Sequence, residues 1–172
     1  MTDIINASDG LNPEQLAFKK KVLNSFTFWW FMLFKVPAGW IAGMRLRQLD
    51  EEKSLTSVPF KFLNKNPFGS IYFAVQSMAA ELSTAMLVMM YIQGANPSIA
   101  FIIVDMKANF SKHAKGRSYF HCEGGGRVKE AVAKCLASPE PVTIDLTTVG
   151  KLKDGTVVSE FTFTWSMKQR SK

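Results

Sequence analysis

Ser70-Ile-Tyr-Phe-Ala-Val-Gln-Ser-Met-Ala-Ala-Glu81-Leu-Ser-Thr-Ala-Met-Leu-Val-Met-Met-Tyr-Ile92 is the stretch that decides the fold. It is apolar nearly all round, and a helix of that kind is either a core element or a membrane element. Residues 70–104 carry a single charged side chain, Glu81, while 1–69 hold nine Lys/Arg against six Asp/Glu and 105–172 hold twelve against seven. An almost uncharged centre with basic flanks reads as a buried element wrapped by exposed ones. A membrane span is the competing reading, but an acid at mid-helix costs ~3 kcal/mol in lipid, and the flanks alternate as strands of a soluble sheet do. No transmembrane segment is therefore expected.

Working outward, Met44, Leu46 and Gln48 alternate with Arg45 and Arg47, and Asp50-Glu51-Glu52 makes a turn. A second strand is expected over Val58–Leu63, with Pro59 suiting an edge or bulge. After the centre, Ile102–Phe110 alternates, and a further strand is expected over Arg117–Glu123. Gly124-Gly125-Gly126 reads as a turn before a helix over Arg127–Ala137. Val142–Leu146 and Val157–Met167 form a hairpin around Asp154-Gly155. Alternation predicts a mainly antiparallel sheet with one wet face, and a long apolar helix between strands two and three buries itself only by lying across that sheet. The fold class is α+β.

Length and composition agree with one domain. The chain has 172 residues, 47% hydrophobic and 20% charged, enough for a real core and against disorder. The expected organisation is a flexible 1–12, an N-terminal helix over 13–36, and a core over 37–168. That first helix starts at Asn12-Pro13-Glu14 and runs through Lys19-Lys20-Lys21 into the aromatic run Phe26–Phe34. Packing over a sheet or a subunit contact is the favoured use of this run, with a membrane interface behind the lysines as the other. The first fifteen residues are polar and acidic, without the basic start of a secretory leader, so a reducing cytoplasm with free thiols is expected. Cys122 and Cys135, with only His113 and His121 besides, argue against a disulfide framework and against a closed zinc site.

The net charge of +7 admits nucleic acid, an anionic membrane or a phosphorylated small molecule. Nucleic acid is disfavoured, because the basic residues lack interleaved aromatics or a recognisable module. Lys107, Lys112, Lys115 and Arg117 read as a phosphate-holding cluster or as an ordinary solvated loop. Glu81 is the sharpest feature. A buried carboxylate is costly unless bonded, paired or protonated, and its helical neighbours Ser77 and Thr84 offer only neutral hydrogen bonds. It is either an interface acid or a carboxylate tuned for general-base or nucleophilic work. Before the helix, Asn66 or Ser70 is placed to cap it, Gly69 permits close backbone approach, and unpaired amides at the helix start suit a developing oxyanion.

Asn66-Pro67-Phe68-Gly69-Ser70-Ile71-Tyr72-Phe73-Ala74 followed by Glu81, with Pro37-Ala38-Gly39-Trp40, Met78–Ser83 and the closing hairpin through Trp165, resembles the hotdog-fold acyl-CoA thioesterases. The likeness is to a domain-of-unknown-function branch related to PaaI-like thioesterases, and it covers roughly residues 14–168. It implies a sheet wrapped around the central helix and hydrolysis of acyl-CoA or acyl-carrier thioesters. The implied roles are Glu81 as base or nucleophile, the Phe73 and Ala74 amides as oxyanion donors, and Asn66 as polar positioner. Gly69, Ser70, Ser77, Thr84 and the four cations 107, 112, 115 and 117 would line the substrate. It implies no cofactor beyond the coenzyme A of the substrate, and a homodimer or tetramer. A non-catalytic acyl-CoA-binding protein is the alternative. Tyr72 stands where many relatives carry the histidine of a His-Gly-Gly motif. Hotdog dehydratases pair an entrance histidine with the helix acid, and both histidines here come after the helix, which disfavours dehydration.

Overall fold

In the computed structural model, which describes residues 10–170, the apolar stretch forms α4 (Phe73–Tyr91). Thirteen of its nineteen residues are buried, so it is a core helix, although it alone among the described helices is long and apolar enough to cross a bilayer. It lies across a six-stranded antiparallel sheet made of β1 (Arg45–Leu49), β2 (Ser54–Val58), β3 (Ile99–Phe110), β4 (Ser118–Cys122), β5 (Val142–Lys151) and β6 (Val157–Gln169). The strand order is β1-β2-β4-β5-β6-β3, so β3 crosses to the far edge and pairs only with β6. The architecture is the α+β one the alternation predicts.

Four polar contacts seat α4 on the sheet. Gln76 accepts from Ser159 Oγ (2.9 Å), Thr56 donates to the Ala79 carbonyl (2.6 Å), Ser83 donates to Thr148 (2.8 Å), and Trp165 Nε1 donates to Thr84 (3.1 Å). Small hydroxyl residues on this face let the helix approach closely while these contacts pair the polar groups that meet there, whereas Ser54 Oγ on β2 is buried without a partner among the described residues. Between them pack Ala79, Ala80, Leu87, Phe120, Phe161 and Phe163, all buried.

Three local expectations need correction. β2 ends at Val58, where the second strand was expected to start, and the chain turns through a short 3-10 segment at Phe62–Asn64. Ser54, Thr56, Ser57 and Val58 are the buried residues of β2, and three of the four are polar, so its hydrophobic pattern misleads. The expected helix over 13–36 is two helices, α1 (Pro13–Leu23) and α2 (Ser25–Lys35). Asn24 breaks them because its side chain accepts from the amides of Phe26 and Thr27 and starts the second helix. α3 (Pro37–Ala42) follows. Of the flexible 1–12 expected from sequence, residues 1–9 lie outside the described residues, whereas Leu11 is buried and Asn12 caps α1.

The triple glycine opens α5 (Gly125–Ala137), and its purpose is close approach. The Gly125 amide donates to the Glu52 carbonyl at 2.9 Å, and a Cβ on Gly125 would fall 1.7 Å from the Glu51 carbonyl oxygen. A Cβ on Gly126 would meet nothing within 4 Å. Gly125→Ala therefore forces the β1–β2 turn off α5 and should lower the urea midpoint sharply. Gly126→Ala, in the first turn of α5, lowers the entropy of the unfolded chain and should stabilise by about 0.5–1 kcal/mol. Equilibrium unfolding of the two single variants checks the pair.

Candidate active site

The polar contacts fix the rotation of α4 about its own axis. At 3.6 residues per turn, Glu81 sits about 200° from both Ala79 and Ser83, on the side away from the sheet. There it shares a half-buried stripe with Ala74, Ser77, Met78, Met89 and Ile92. No hydrogen bond or ion pair reaches its carboxylate among the described residues, and burial alone raises its pKa to about 7. The two hydroxyls nearest on the helix are used elsewhere. Ser77 donates to the Phe73 carbonyl at 2.9 Å, and Thr84 donates to the Glu81 carbonyl at 2.9 Å. Thr84 is wholly buried and also holds Trp165, so the expectation that it contacts substrate is corrected: it seats the helix.

The helix entrance is built by the loop before it. The Asn66 side chain accepts from the amides of Phe68 and Ser70 (both 3.1 Å) and donates to Ser70 Oγ at 3.0 Å. Gly69 holds φ at +71° within this turn and faces open space, so the turn conformation, not close packing, requires it. Neither Asn66 nor Ser70 caps α4. Tyr72 is the N-cap and gives no side-chain cap bond, because the loop spends its own polar groups on itself. The Tyr72 amide donates to the Asn64 carbonyl at 2.8 Å and that of Val75 to the Tyr72 carbonyl at 3.0 Å. The amides of Phe73 and Ala74 between them have no acceptor among the described residues.

A cavity of about 280 Å³ opens at this entrance, lined by Asn66, Ser70, Phe73, Gln76, Lys112 and His113 among others. In the sequence His113 follows the helix and stands far from its start. The fold returns it to the entrance, where its Nδ1 lies 3.4 Å from Ser70 Oγ. The signal in the sequence was weak: the loop after a long edge strand must come back past the helix start, as the Ile71 amide bonding the Ala114 carbonyl at 2.9 Å shows. The expected basic cluster is divided. Lys112 lines the entrance cavity, Lys107 stands on β3, Lys115 is exposed on the following loop, and Arg117 lines a separate hollow with Tyr119, Leu152 and Asp154. The thiols are buried and free, and burial pushes Cys122 up to about 11, which leaves it poorly suited as a nucleophile.

Glu81 does not line this cavity. Eight residues separate it from Phe73, about 12 Å along the axis at 1.5 Å per residue. One chain therefore holds a carboxylate poised near neutrality and a pair of open amides, but not within reach of the same carbonyl carbon.

No protein-family model matches the sequence, and no curated protein matches it. Solved structures do. A protein of unknown function from Pseudomonas aeruginosa superposes with a TM-score of 0.71 at 18% identity, over 81% of this chain and 92% of that one. A thioesterase from Haemophilus influenzae gives 0.59 at 12% identity, over 80% and 87%. A Staphylococcus aureus thioesterase, solved as a point mutant, gives 0.58 at 16% identity, over 74% and 95%. At these identities the likeness is one of fold, and the fold is the hotdog fold.

Because the Glu81 pKa is raised in the folded chain, the native state holds its proton after the unfolded state has lost it. Stability should fall as pH rises from about 4.5 to about 7 and level off above. Glu81→Gln should match the parent in acid and exceed it by about 2–3 kcal/mol at pH 8. Urea melts at several pH values measure this, and a pH-independent difference would contradict it.

Proposed function

We propose that the protein hydrolyses acyl thioesters, with Glu81 of one copy acting on a substrate held at the α4 entrance of a second copy. The observation that carries this reading is Glu81 itself. It is an unpaired acid with a pKa near neutrality, on a half-buried helix stripe, in a fold shared with solved thioesterases. General bases work best when their pKa lies near the operating pH.

The 12 Å separation supports a shared site. Two α4 helices lying antiparallel across a two-fold axis bring each Glu81 toward the other copy's Phe73 and Ala74 amides. The far edge of the sheet supports the same assembly. β3 is twelve residues long, has no strand on its outer side, and exposes Ile102, Val104 and Met106. Such an edge invites another strand, and a second β3 would extend the sheet and cover the helix stripe together. Around each entrance, the exposed rings of Phe68, Tyr72, Phe73 and Phe110 form an apolar lip suited to an acyl chain.

In the reaction, a water oxygen bonds to the thioester carbonyl carbon while Glu81 takes its proton. The carbonyl oxygen gains the charge and is held by the Phe73 and Ala74 amides. The C–S bond then breaks, and the thiolate leaves with that proton as a free thiol beside a carboxylic acid. Asn66 and Tyr72 orient the acyl group at the entrance. Lys112, with Lys107 and Lys115 on the same edge and loop, meets the phosphates of coenzyme A or of an acyl carrier.

Thiol release from acyl-CoA of graded chain length tests the reading. kcat/KM should rise with pH through about 7 as Glu81 loses its proton, and Glu81→Gln should lose roughly 10²-fold or more. Turnover equal to the parent in Glu81→Gln would overturn the assignment, and acyl-CoA affinity without turnover would favour a binding protein. Met106→Glu should yield folded monomers by light scattering with no turnover. Active monomers would overturn the shared site.

A further inference from the structure

We infer that α2 is a membrane-docking helix that seats the protein on an anionic bilayer. Phe26, Trp30 and Phe34 repeat every four residues along one side of α2 and are 71%, 41% and 72% exposed. They form a continuous aromatic row, with Phe26 edge-on to Trp30 at 6.2 Å and Trp30 stacked on Phe34 at 5.5 Å. The opposite side of the helix is anchored. Phe28 and Met32 are buried in the core, and Trp29 packs edge-on against Trp40 of α3 at 5.5 Å. The row therefore faces outward from a fixed helix and has no place in the core to return to. Eleven residues span about 16 Å, too short to cross a bilayer but suited to lying in its interface.

Charge selects the occupant. Residues 15–49 contain six Lys/Arg and not one Asp or Glu. Lys20 and Lys21 end α1, and Thr27 Oγ1 donates to the Lys21 carbonyl, so the basic turn abuts the start of α2. Lys35 ends α2 beside Phe34, and Arg45 lines a hollow of about 550 Å³ with Phe26, Trp29 and Trp30. Aromatic rings between cations match the headgroup region of a bilayer with negative lipids, rings at the acyl boundary and ammonium groups among the phosphates. A second copy fits less well. The row offers on the order of 400 Å², about half of what one side of a stable interface buries, and two-fold pairing would press the same lysines together. The inference is independent of the proposed chemistry.

The test uses the full chain with phosphatidylcholine vesicles, with and without phosphatidylglycerol. Co-sedimentation and a blue shift of tryptophan emission should appear only with phosphatidylglycerol and should weaken with added salt. Phe26→Ser/Phe34→Ser, which keeps Trp30 as reporter, and Lys20→Glu/Lys35→Glu, confined to exposed side chains, should each weaken binding by ~10-fold or more. Circular dichroism verifies that both stay folded. Equal binding to both vesicle types, or variants that bind as the parent does, would overturn the inference. So would a parent that ignores vesicles while Phe26→Ser/Phe34→Ser lowers its mass by light scattering, since the row would then be a subunit contact.

Discussion

The rotation of α4 on the sheet is the constraint from which the rest follows. A helix apolar all round has no preferred face of its own, so burial alone would leave its rotation undetermined. Ser159 to Gln76, Thr56 to the Ala79 carbonyl, Ser83 to Thr148 and Trp165 to Thr84 choose one orientation. A turned helix would leave those buried groups unpaired, at about 1–3 kcal/mol each. With that side fixed inward, Glu81 has only the far side to occupy. Its raised pKa is thus a consequence of helix seating, since no neighbouring charge contributes.

Much of this was legible in the sequence wherever one residue type carried one physical meaning. The α4 stretch declared itself by the loss of charge, and the closing hairpin by strict alternation. Glu81 stood out as the one acid in thirty-five residues. Reading failed where polar residues did core work. In β2 three of the four buried side chains, Ser54, Thr56 and Ser57, are polar, so a hydrophobic pattern places the strand four residues too late. Asn66 and Asn24 show a related ambiguity: both are short amides near helix starts, yet Asn24 starts a helix while Asn66 ties up its own loop. His113 was illegible for a different reason. Its nearness to Ser70 depends on β3 crossing to the far edge, a long-range pairing that local spacing does not encode.

The β3 edge and the α2 row are both apolar outward surfaces, and they differ in kind. The β3 edge offers unsatisfied backbone groups in a row, which another strand satisfies with directional bonds. The α2 row offers rings on a helix whose backbone is already satisfied, so its attraction is non-directional and suits a fluid partner. The basic residues are divided between places as well, with Lys112 at the site entrance and Lys35 and Arg45 beside the aromatic row.

The β3 edge also carries a built-in selectivity. Its only charges are Asp105 and Lys107, on either side of Met106. An antiparallel pairing centred on Met106 sets each Asp105 opposite the other copy's Lys107, whereas a parallel pairing in the same register sets like against like. The charges on this edge therefore favour one pairing over its alternatives, a choice that β1, the other edge of the sheet, meets with Arg45 and Arg47 alone.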